Sequence, residues 1–190
     1  METKNSVRNL LRAQLQGLPE NVRKTAALQV WERLRLDSGF QTAKVIASFA
    51  SLPSEIDTRS IHFCGRKIGK TFVYPKVFGD QKPLRFFAVE DLQELDAGGR
   101  ILEPKPEQHR EVNEIELFLI PGLGFTREGG RLGRGKGYYD LTLSQPQFNN
   151  SPRYALAFNE QILDELEMEP HDVVMSKVFT PNAVFLGKTI

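Results

Sequence analysis

The stretch EIELFLIPGLGFTREGGRLGRGKGYYD, residues 114–140, joins two patterns that together decide the fold. Its first part, 114–121, is a short apolar run that ends at a proline, which is typical of a buried strand. A segment rich in glycine and cationic residues, 131–140, follows after a short connection. Ligands of α/β proteins bind just beyond the carboxyl ends of parallel strands, so this order predicts a binding loop.

The rest of the chain alternates predicted helices with predicted strands. Apolar spacing predicts helices over 4–15, 20–36, 90–99 and 161–169, and one within 51–69. Short β-branched or aromatic runs predict further strands over 44–50, 70–75, 84–89, 153–160 and 176–180. This alternation predicts a three-layer α/β/α fold with a mainly parallel sheet. The length of 190 residues fits a single domain, 1–190.

Composition restricts the classes of function. The chain carries 25 basic and 24 acidic residues, a net charge of +1, whereas general nucleic-acid or membrane-surface binders have a large basic excess. A single cysteine, Cys64, suits a reducing compartment. The N-terminus has no apolar core of a signal peptide, and no apolar run approaches bilayer length. We therefore expect a cytoplasmic, monomeric protein that binds neither nucleic acid nor membrane.

The loop over 131–140 has the chemistry of a polyphosphate site. Its glycines at 133, 135 and 137 allow the backbone to form a concave nest of N–H groups that binds anions. Arg131, Arg134 and Lys136 add full positive charges, and the residues after Gly137 can begin a helix whose N-terminus favours anions. The spacing matches neither a Walker loop nor a Rossmann fingerprint, and composition alone equally fits a flexible basic surface loop.

Carboxylates near this loop are candidate Mg²⁺ ligands. Asp140 ends the motif and Asp172 follows a late turn; Mg²⁺ is usually held by one or two carboxylates together with substrate phosphates. An N-cap or a salt bridge is the alternative role for Asp140. Lys4, Arg8 and Arg12 recur every four residues and form a cationic stripe on the first helix, a pattern typical of a solvated face.

Six motifs in order, SEIDT, YPK, EP, PGLGF, RLGRGKGYYD and HD, closely resemble those of the 5-formyltetrahydrofolate cyclo-ligase family, also called 5,10-methenyltetrahydrofolate synthetases. The resemblance covers nearly the whole chain. It implies an α/β fold similar to the sugar-phosphate isomerase and CoA-transferase group. It also implies ATP- and Mg²⁺-dependent conversion of 5-formyltetrahydrofolate, with or without extra glutamyl residues, to 5,10-methenyltetrahydrofolate, with release of ADP and phosphate.

The resemblance implies roles for individual residues. Glu55 would hold the pterin edge, with Arg134 and Tyr138 also on the folate side. Arg134, Lys136 and Tyr138 would be catalytic, and Asp140 and Asp172 would bind Mg²⁺. The nucleotide would contact Lys4, Arg8, Arg131, Leu132, Gly133, Arg134, Gly135, Lys136, Gly137, Tyr138 and Tyr139.

Two positions depart from the family pattern. Thr126 stands where many members have an aspartate, and Pro181 follows Thr180 where an acid is common, so the resemblance implies no acidic side chain at these two positions. No tryptophan is placed to contact the pterin, and Phe86 and Phe87 are candidate walls of the folate pocket, although core packing is the ordinary role of such residues.

Two other functions remain open at this point. A sugar-phosphate isomerase or a CoA-transferase-like enzyme would share the fold and use Glu55 as base or nucleophile, without ATP. A non-enzymatic RNA-binding module would use GRGKGYY, 133–139, as a basic and aromatic patch, but the low net charge argues against it.

Overall fold

A computed structural model describes residues 3–96 and 101–188 of the chain. Its helices are α1 (Lys4–Gln16), α2 (Glu20–Leu34), α3 (Ser38–Thr42), α4 (Arg59–Lys67) and α5 (Tyr138–Leu143). Its strands are β1 (Val45–Ala47), β2 (Thr71–Lys76), β3 (Arg85–Ala88), β4 (Leu117–Ile120), β5 (Gly124–Thr126), β6 (Arg131–Leu132), β7 (Arg153–Leu156), β8 (Ile162–Leu163), β9 (Lys177–Phe179) and β10 (Val184–Leu186). No helix in these described ranges is long and apolar enough to cross a bilayer.

The strands form one large sheet and one small one. The large sheet has the order β10-β9-β7-β4-β1-β2-β3. Its five inner strands run parallel, and the two edge strands, β10 and β3, run antiparallel to their neighbours. The small sheet has the order β6-β5-β8 and contains the β5–β6 hairpin. The predicted three-layer α/β/α fold with a mainly parallel sheet is confirmed.

The position of β4 at the centre of the large sheet explains why its sequence is apolar throughout. Successive side chains of a strand point to opposite faces of the sheet. Leu117 and Leu119 therefore pack into the core beneath α1–α4, whereas Phe118 and Ile120 pack with residues of α5 on the other face. All four side chains are fully buried, as expected for a parallel strand covered on both sides.

The same sheet brings the site loops together. Strands β1, β4 and β2 are parallel, with β1 between the other two, so their carboxyl ends lie at one edge. The segments that leave this edge are 48–58 after β1, 77–84 after β2, and 121–137 after β4, which includes the β5–β6 hairpin. The first of these segments contains Glu55, and the last contains the start of the glycine-rich loop, 131–137.

One predicted helix is wrong. Residues 161–169 form only the end of a 3₁₀ turn (Asn159–Gln161) and then β8, which pairs with β5. The buried Gln161 side chain donates to the carbonyl oxygens of Gly122 and Leu123, and this tertiary anchoring overrides the helical spacing of the apolar residues.

Other boundaries differ in detail. The predicted helix over 90–99 is a 3₁₀ turn at Leu92–Glu94, and its closing glycines, 98 and 99, lie outside the described residues. Strand β2 continues through Pro75 to Lys76. The pairing with β1 ends at Val73, so no β1 residue lies beside Pro75. Proline lacks a backbone N–H, but no hydrogen bond between β1 and β2 is lost at this position.

Candidate active site

The glycine-rich loop connects β6 directly to α5. Gly135 has φ +101° and Gly137 has φ +68°, which are left-handed conformations that side chains with a Cβ rarely adopt. Gly137 also takes the position that begins α5, so the loop ends at a helix N-terminus, as predicted from the sequence. The two glycines alternate with Arg134 and Lys136, whose charges therefore follow the same tight backbone path.

A cavity of about 350 Å³ lies at the carboxyl edge of the sheet. Every residue to which the resemblance assigns a nucleotide, folate or Mg²⁺ contact lines this one cavity: Lys4, Arg8, Glu55, Arg131, Leu132, Gly133, Arg134, Gly135, Lys136, Gly137, Tyr138, Tyr139, Asp140 and Asp172. The structure thus brings together residues from α1, from the loop after β1 and from the glycine-rich loop.

Sequence reasoning missed the apolar side of the cavity. It is formed by Phe49, Ala50, Pro75, Val77, Leu84 and Ile101. Most of these residues belong to the segments that leave the carboxyl ends of β1 and β2, so strand order was the signal that could have found them. Glu103, Glu169 and His171 also line the cavity.

Glu55 and Arg134 form a direct ion pair across the cavity. The Arg134 Nη2 lies 2.8 Å from Glu55 Oε1, and its Nε also donates to that oxygen at 3.1 Å. Glu55 Oε2 accepts the Leu52 N–H at 2.9 Å. The Glu55 side chain is only 7% exposed, against 32% for Arg134, so this carboxylate faces the interior of the site.

Arg131 and Asp140 form a second pair at the base of the loop. Arg131 Nη1 lies 3.2 Å from Asp140 Oδ1, and Arg131 Nε donates to the carbonyl of Pro121. The Arg131 guanidinium also lies over the ring of Tyr139, 5.1 Å from its centroid. Arg131 is buried, so its charge mainly fixes Asp140 and the start of the loop.

Asp172 pairs with the first helix. Lys4 Nζ lies 2.9 Å from Asp172 Oδ2 and 3.4 Å from Glu169. Burial acts to raise the pKa of the Asp172 carboxyl, but hydrogen bonds from the Glu169 N–H and the Lys4 ammonium outweigh it and hold this pKa below its usual value. Asp172 is therefore a carboxylate throughout the neutral range.

The carboxylates fit a Mg²⁺ ion that arrives with its phosphates. Asp140 Oδ1 accepts the N–H of Val173 at 3.4 Å, which brings Asp140 next to the residue that follows Asp172. No cluster of three or more His, Cys, Asp or Glu ligands occurs within residues 3–96 and 101–188. Asp140 and Asp172 would supply only part of the oxygen ligands of a Mg²⁺ ion, and substrate phosphates would supply others.

Lys136 and Tyr138 meet the loop after β2. The Tyr138 hydroxyl donates to Asp80 Oδ1 at 3.0 Å, and Lys136 Nζ lies 3.5 Å from the same oxygen. The hydrogen bond to Asp80 raises the pKa of Tyr138. Asp80 had no role in the sequence prediction, because it lies far from the motif in sequence.

The positions that depart from the family pattern have structural roles. Thr126 Oγ1 accepts the Gly130 N–H at 3.0 Å and closes the β5–β6 turn. The carbonyl of Pro181 accepts Arg33 Nε of α2, away from the cavity. Phe86 and Phe87 are buried and do not line this cavity, which matches the core packing that is ordinary for such residues.

A parallel sheet with a cationic, glycine-rich loop and two carboxylates at its carboxyl edge defines an α/β enzyme suited to phosphate-bearing ligands. The sequence model of the 5-formyltetrahydrofolate cyclo-ligase family matches residues 1–181. The chain therefore belongs to this family, and it is a ligase.

Similar proteins carry the same name. The 5-formyltetrahydrofolate cyclo-ligase of Mus musculus is 29% identical over 186 residues, 92% of each chain. A cyclo-ligase of Arabidopsis thaliana, named mitochondrial, is 30% identical over 95% of this chain and 75% of its own. The solution structure of the 5,10-methenyltetrahydrofolate synthetase of Aquifex aeolicus superposes with a TM-score of 0.81 at 25% identity, covering 98% of this chain and 95% of that one. These matches favour the cyclo-ligase over the isomerase and CoA-transferase alternatives.

Proposed function

We propose that the protein converts 5-formyltetrahydrofolate and ATP to 5,10-methenyltetrahydrofolate, ADP and phosphate. The observation that carries this proposal is one cavity with two chemically different sides. The glycine-rich loop and α1 supply cations and backbone N–H groups that suit a triphosphate. The opposite side supplies apolar walls and the buried Glu55 carboxylate, which suit a flat ring with an edge of N–H donors.

The first step of the proposed reaction is phosphorylation of the substrate. The formyl oxygen attacks the γ-phosphorus of ATP, a new O–P bond forms, and the bond to the β-phosphate oxygen breaks to release ADP. Negative charge is spread over the transferring phosphoryl oxygens, and Arg134 and Lys136 supply positive charge beside the loop. Their glycine neighbours let both side chains follow the phosphates at no steric cost.

The second step is ring closure. N10 of the folate attacks the activated formyl carbon, the C–N bond forms, and phosphate leaves with the former formyl oxygen. The N10 proton is released to water. The substrate supplies both nucleophiles, so the protein needs no Ser-His-Asp set and acts by orientation and electrostatics.

Asp140 and Asp172 would hold the Mg²⁺ ion, which would neutralise charge on the phosphate oxygens. Lys4 and Arg131, their present partners, keep both carboxylates oriented toward the cavity. Tyr138 and Tyr139 border the loop beside Leu132 and complete the wall on the nucleotide side.

A spectroscopic assay tests the proposal. The purified protein is mixed with 5-formyltetrahydrofolate, MgCl₂ and ATP, and the near-ultraviolet band of the methenyl product is followed, with ATP or Mg²⁺ omitted in parallel. We expect the band to grow only in the complete mixture and to be lost in Arg134→Ala. The proposal would be contradicted if the band grew at the same rate without ATP, or if folded protein gave no band in the complete mixture.

The setting of the enzyme is part of the same proposal. We infer a cytoplasmic monomer that acts on folates with or without glutamyl tails. A mass near 21.6 kDa by light scattering is the expected result, and a stable dimer would correct the monomer prediction. Fluorescence microscopy of the tagged full chain tests the location, because a relative in Arabidopsis thaliana is named mitochondrial.

A further inference from the structure

Two arginines of α1 bond to the backbone of the glycine-rich loop. Arg8 Nε donates to the carbonyl oxygen of Gly133 at 3.0 Å, and Arg12 Nη2 donates to the carbonyl oxygen of Arg134 at 3.3 Å. Positions four apart lie on one face of a helix, so the two arginines reach two consecutive carbonyl groups. The sequence pattern favoured a solvated surface role for Arg12, but the structure places it half-buried against the loop.

Each arginine is braced by an asparagine three residues earlier. Arg8 Nη1 donates to Asn5 Oδ1 at 2.7 Å, and Arg12 Nη1 donates to Asn9 Oδ1 at 3.1 Å. The sequence NSVRNLLR, 5–12, repeats this Asn-x-x-Arg unit. A free arginine loses rotamer entropy when it is fixed, and the bond to the asparagine already restricts the side chain before it bonds to the loop.

Holding a carbonyl also orients the N–H group of the same peptide. In a trans peptide the C=O and the next N–H point to opposite sides. The N–H groups of Arg134 and Gly135 therefore face away from α1. Neither donates to an acceptor anywhere in the described part of the chain, and both residues line the cavity. Consecutive free N–H groups are the elements of an anion nest.

We propose that Arg12 is a positioning residue for the phosphate-binding loop. It holds the peptide between Arg134 and Gly135 so that its N–H is directed at an oxygen of the bound nucleotide triphosphate. Arg12 itself is absent from the cavity lining, so it acts through the loop and not by touching the ligand. This inference rests on the proposed binding of ATP by the loop.

The test compares Arg12→Met with the wild type in steady-state kinetics. Loss of one hydrogen bond from a charged donor predicts that the KM for ATP rises about 5- to 20-fold, while the KM for folate stays within about twofold. Arg12→Lys keeps a donor and restores at least part of the loss. Asn9→Ala removes only the brace and gives a smaller rise in the KM for ATP.

Arg33→Met is the matched control. Arg33 is also a helix arginine whose Nε donates to a distant carbonyl, that of Pro181, at 3.0 Å. We expect this variant to keep the wild-type KM for ATP. The ratio of the KM for ATP in Arg12→Met to that in wild type should persist at 0.5 M salt. At this salt concentration the Debye length is only about 4 Å, so through-space attraction between ATP and the arginine charge is screened. A ratio that falls to one at high salt would overturn the positioning role.

NMR relaxation without nucleotide separates this inference from the proposed function. The order parameters of the Arg134 and Gly135 amides should be lower in Arg12→Met than in wild type or Arg33→Met, while those of α1 stay unchanged. Equal order parameters in Arg12→Met and Arg33→Met would overturn the inference, whether or not ATP is a substrate. Absence of ATP-dependent turnover in the wild type, with the difference in order parameters present, would overturn the proposed function and leave the loop-holding role supported.

Discussion

The Arg134 guanidinium is hydrogen-bonded to the Glu55 carboxylate at 2.8 Å, although the two residues are 79 positions apart in sequence. Glu55 is proposed to bind the folate edge, and Arg134 is proposed to contact both the folate and the transferring phosphoryl group. A folate that takes Glu55 Oε1 must displace the guanidinium, and Arg134 is flanked by glycines that allow it to move. Binding of folate is therefore expected to release Arg134 toward the phosphates.

Glu55→Gln tests this exchange. The amide keeps the size of the side chain but loses the charge that holds Arg134. We expect kcat/KM for folate to fall about 100-fold or more, because the N–H donors of the folate ring lose the charged acceptor that Glu55 provides. Affinity for a non-hydrolysable ATP analogue, measured by calorimetry without folate, should be unchanged or higher. Glu111→Gln, which breaks the Arg85 pair outside the cavity, is the control, and a parallel loss of nucleotide affinity in Glu55→Gln would refute the exchange.

Gly135→Ala tests the backbone conformation of the loop. At φ +101° an alanine is strained although its Cβ would meet only the Arg8 guanidinium, at an ordinary contact distance of 3.8 Å, so the loop must change its path. We expect the KM for ATP to rise at least about tenfold with little change in melting temperature, because the loop is exposed. Gly69→Ala, at φ +82° in the turn after α4, is the matched control and should lower stability by about 1 kcal/mol without changing the KM. Equal kinetic effects of both variants would argue against a specific role of the loop.

Asp172→Asn tests the proposed Mg²⁺ ligand. Removing one of two carboxylates should raise the Mg²⁺ concentration that gives half-maximal rate about tenfold or more, with the fold retained. Because the pKa of Asp172 lies below its usual value, this carboxylate stays ionised, and the difference in Mg²⁺ requirement between Asp172→Asn and wild type should be the same at pH 8 and pH 6. Asp164→Asn, which alters an exposed pair with Arg127, serves as control. An unchanged Mg²⁺ dependence in Asp172→Asn would remove this residue from the metal site.

The hydrogen-bonded carboxylate of Asp37 is expected to make the folded state less stable in acid. Burial acts to raise the pKa of Asp37, but bonds from Lys177, Tyr154 and the Phe40 N–H outweigh it and lower this pKa in the folded state. The contribution to the free energy of unfolding is thus complete above the ordinary value of 3.8 and is lost as pH falls through the lower folded value. We expect Asp37→Asn to cost about 2 kcal/mol or more at pH 7 and clearly less near pH 2. Urea unfolding at the two pH values measures this, and a cost independent of pH would be inconsistent with the ion pair.

The sequence predicted those features that depend on local pattern. The buried strand within 114–121, the glycine-rich loop and the helix after it follow from apolar periodicity and glycine spacing, and the structure has all three. The candidate residues share a cavity because the carboxyl ends of parallel strands share an edge, a rule that can be applied before any coordinates are known.

The features that were missed depend on tertiary contacts. The apolar residues of 161–169 have helical spacing, but Gln161 is anchored to the backbone of another segment and β8 pairs with β5. Arg12 belongs to a cationic stripe whose spacing is typical of a solvated helix face, and only the packing of α1 against the glycine-rich loop gives it a backbone partner. Asp80 and Ile101 reach the site only through the fold, and no spacing in the sequence marks them.

The fate of the formyl oxygen shows whether the substrate is phosphorylated before the ring closes. The substrate is labelled with ¹⁸O in the formyl group, and the phosphate released with ATP, Mg²⁺ and the wild-type protein is analysed by mass spectrometry. If the formyl oxygen attacks the γ-phosphorus, each product phosphate carries one ¹⁸O atom. Unlabelled phosphate formed in step with the methenyl product would contradict phosphorylation of the formyl oxygen and would mean that ATP is hydrolysed by water.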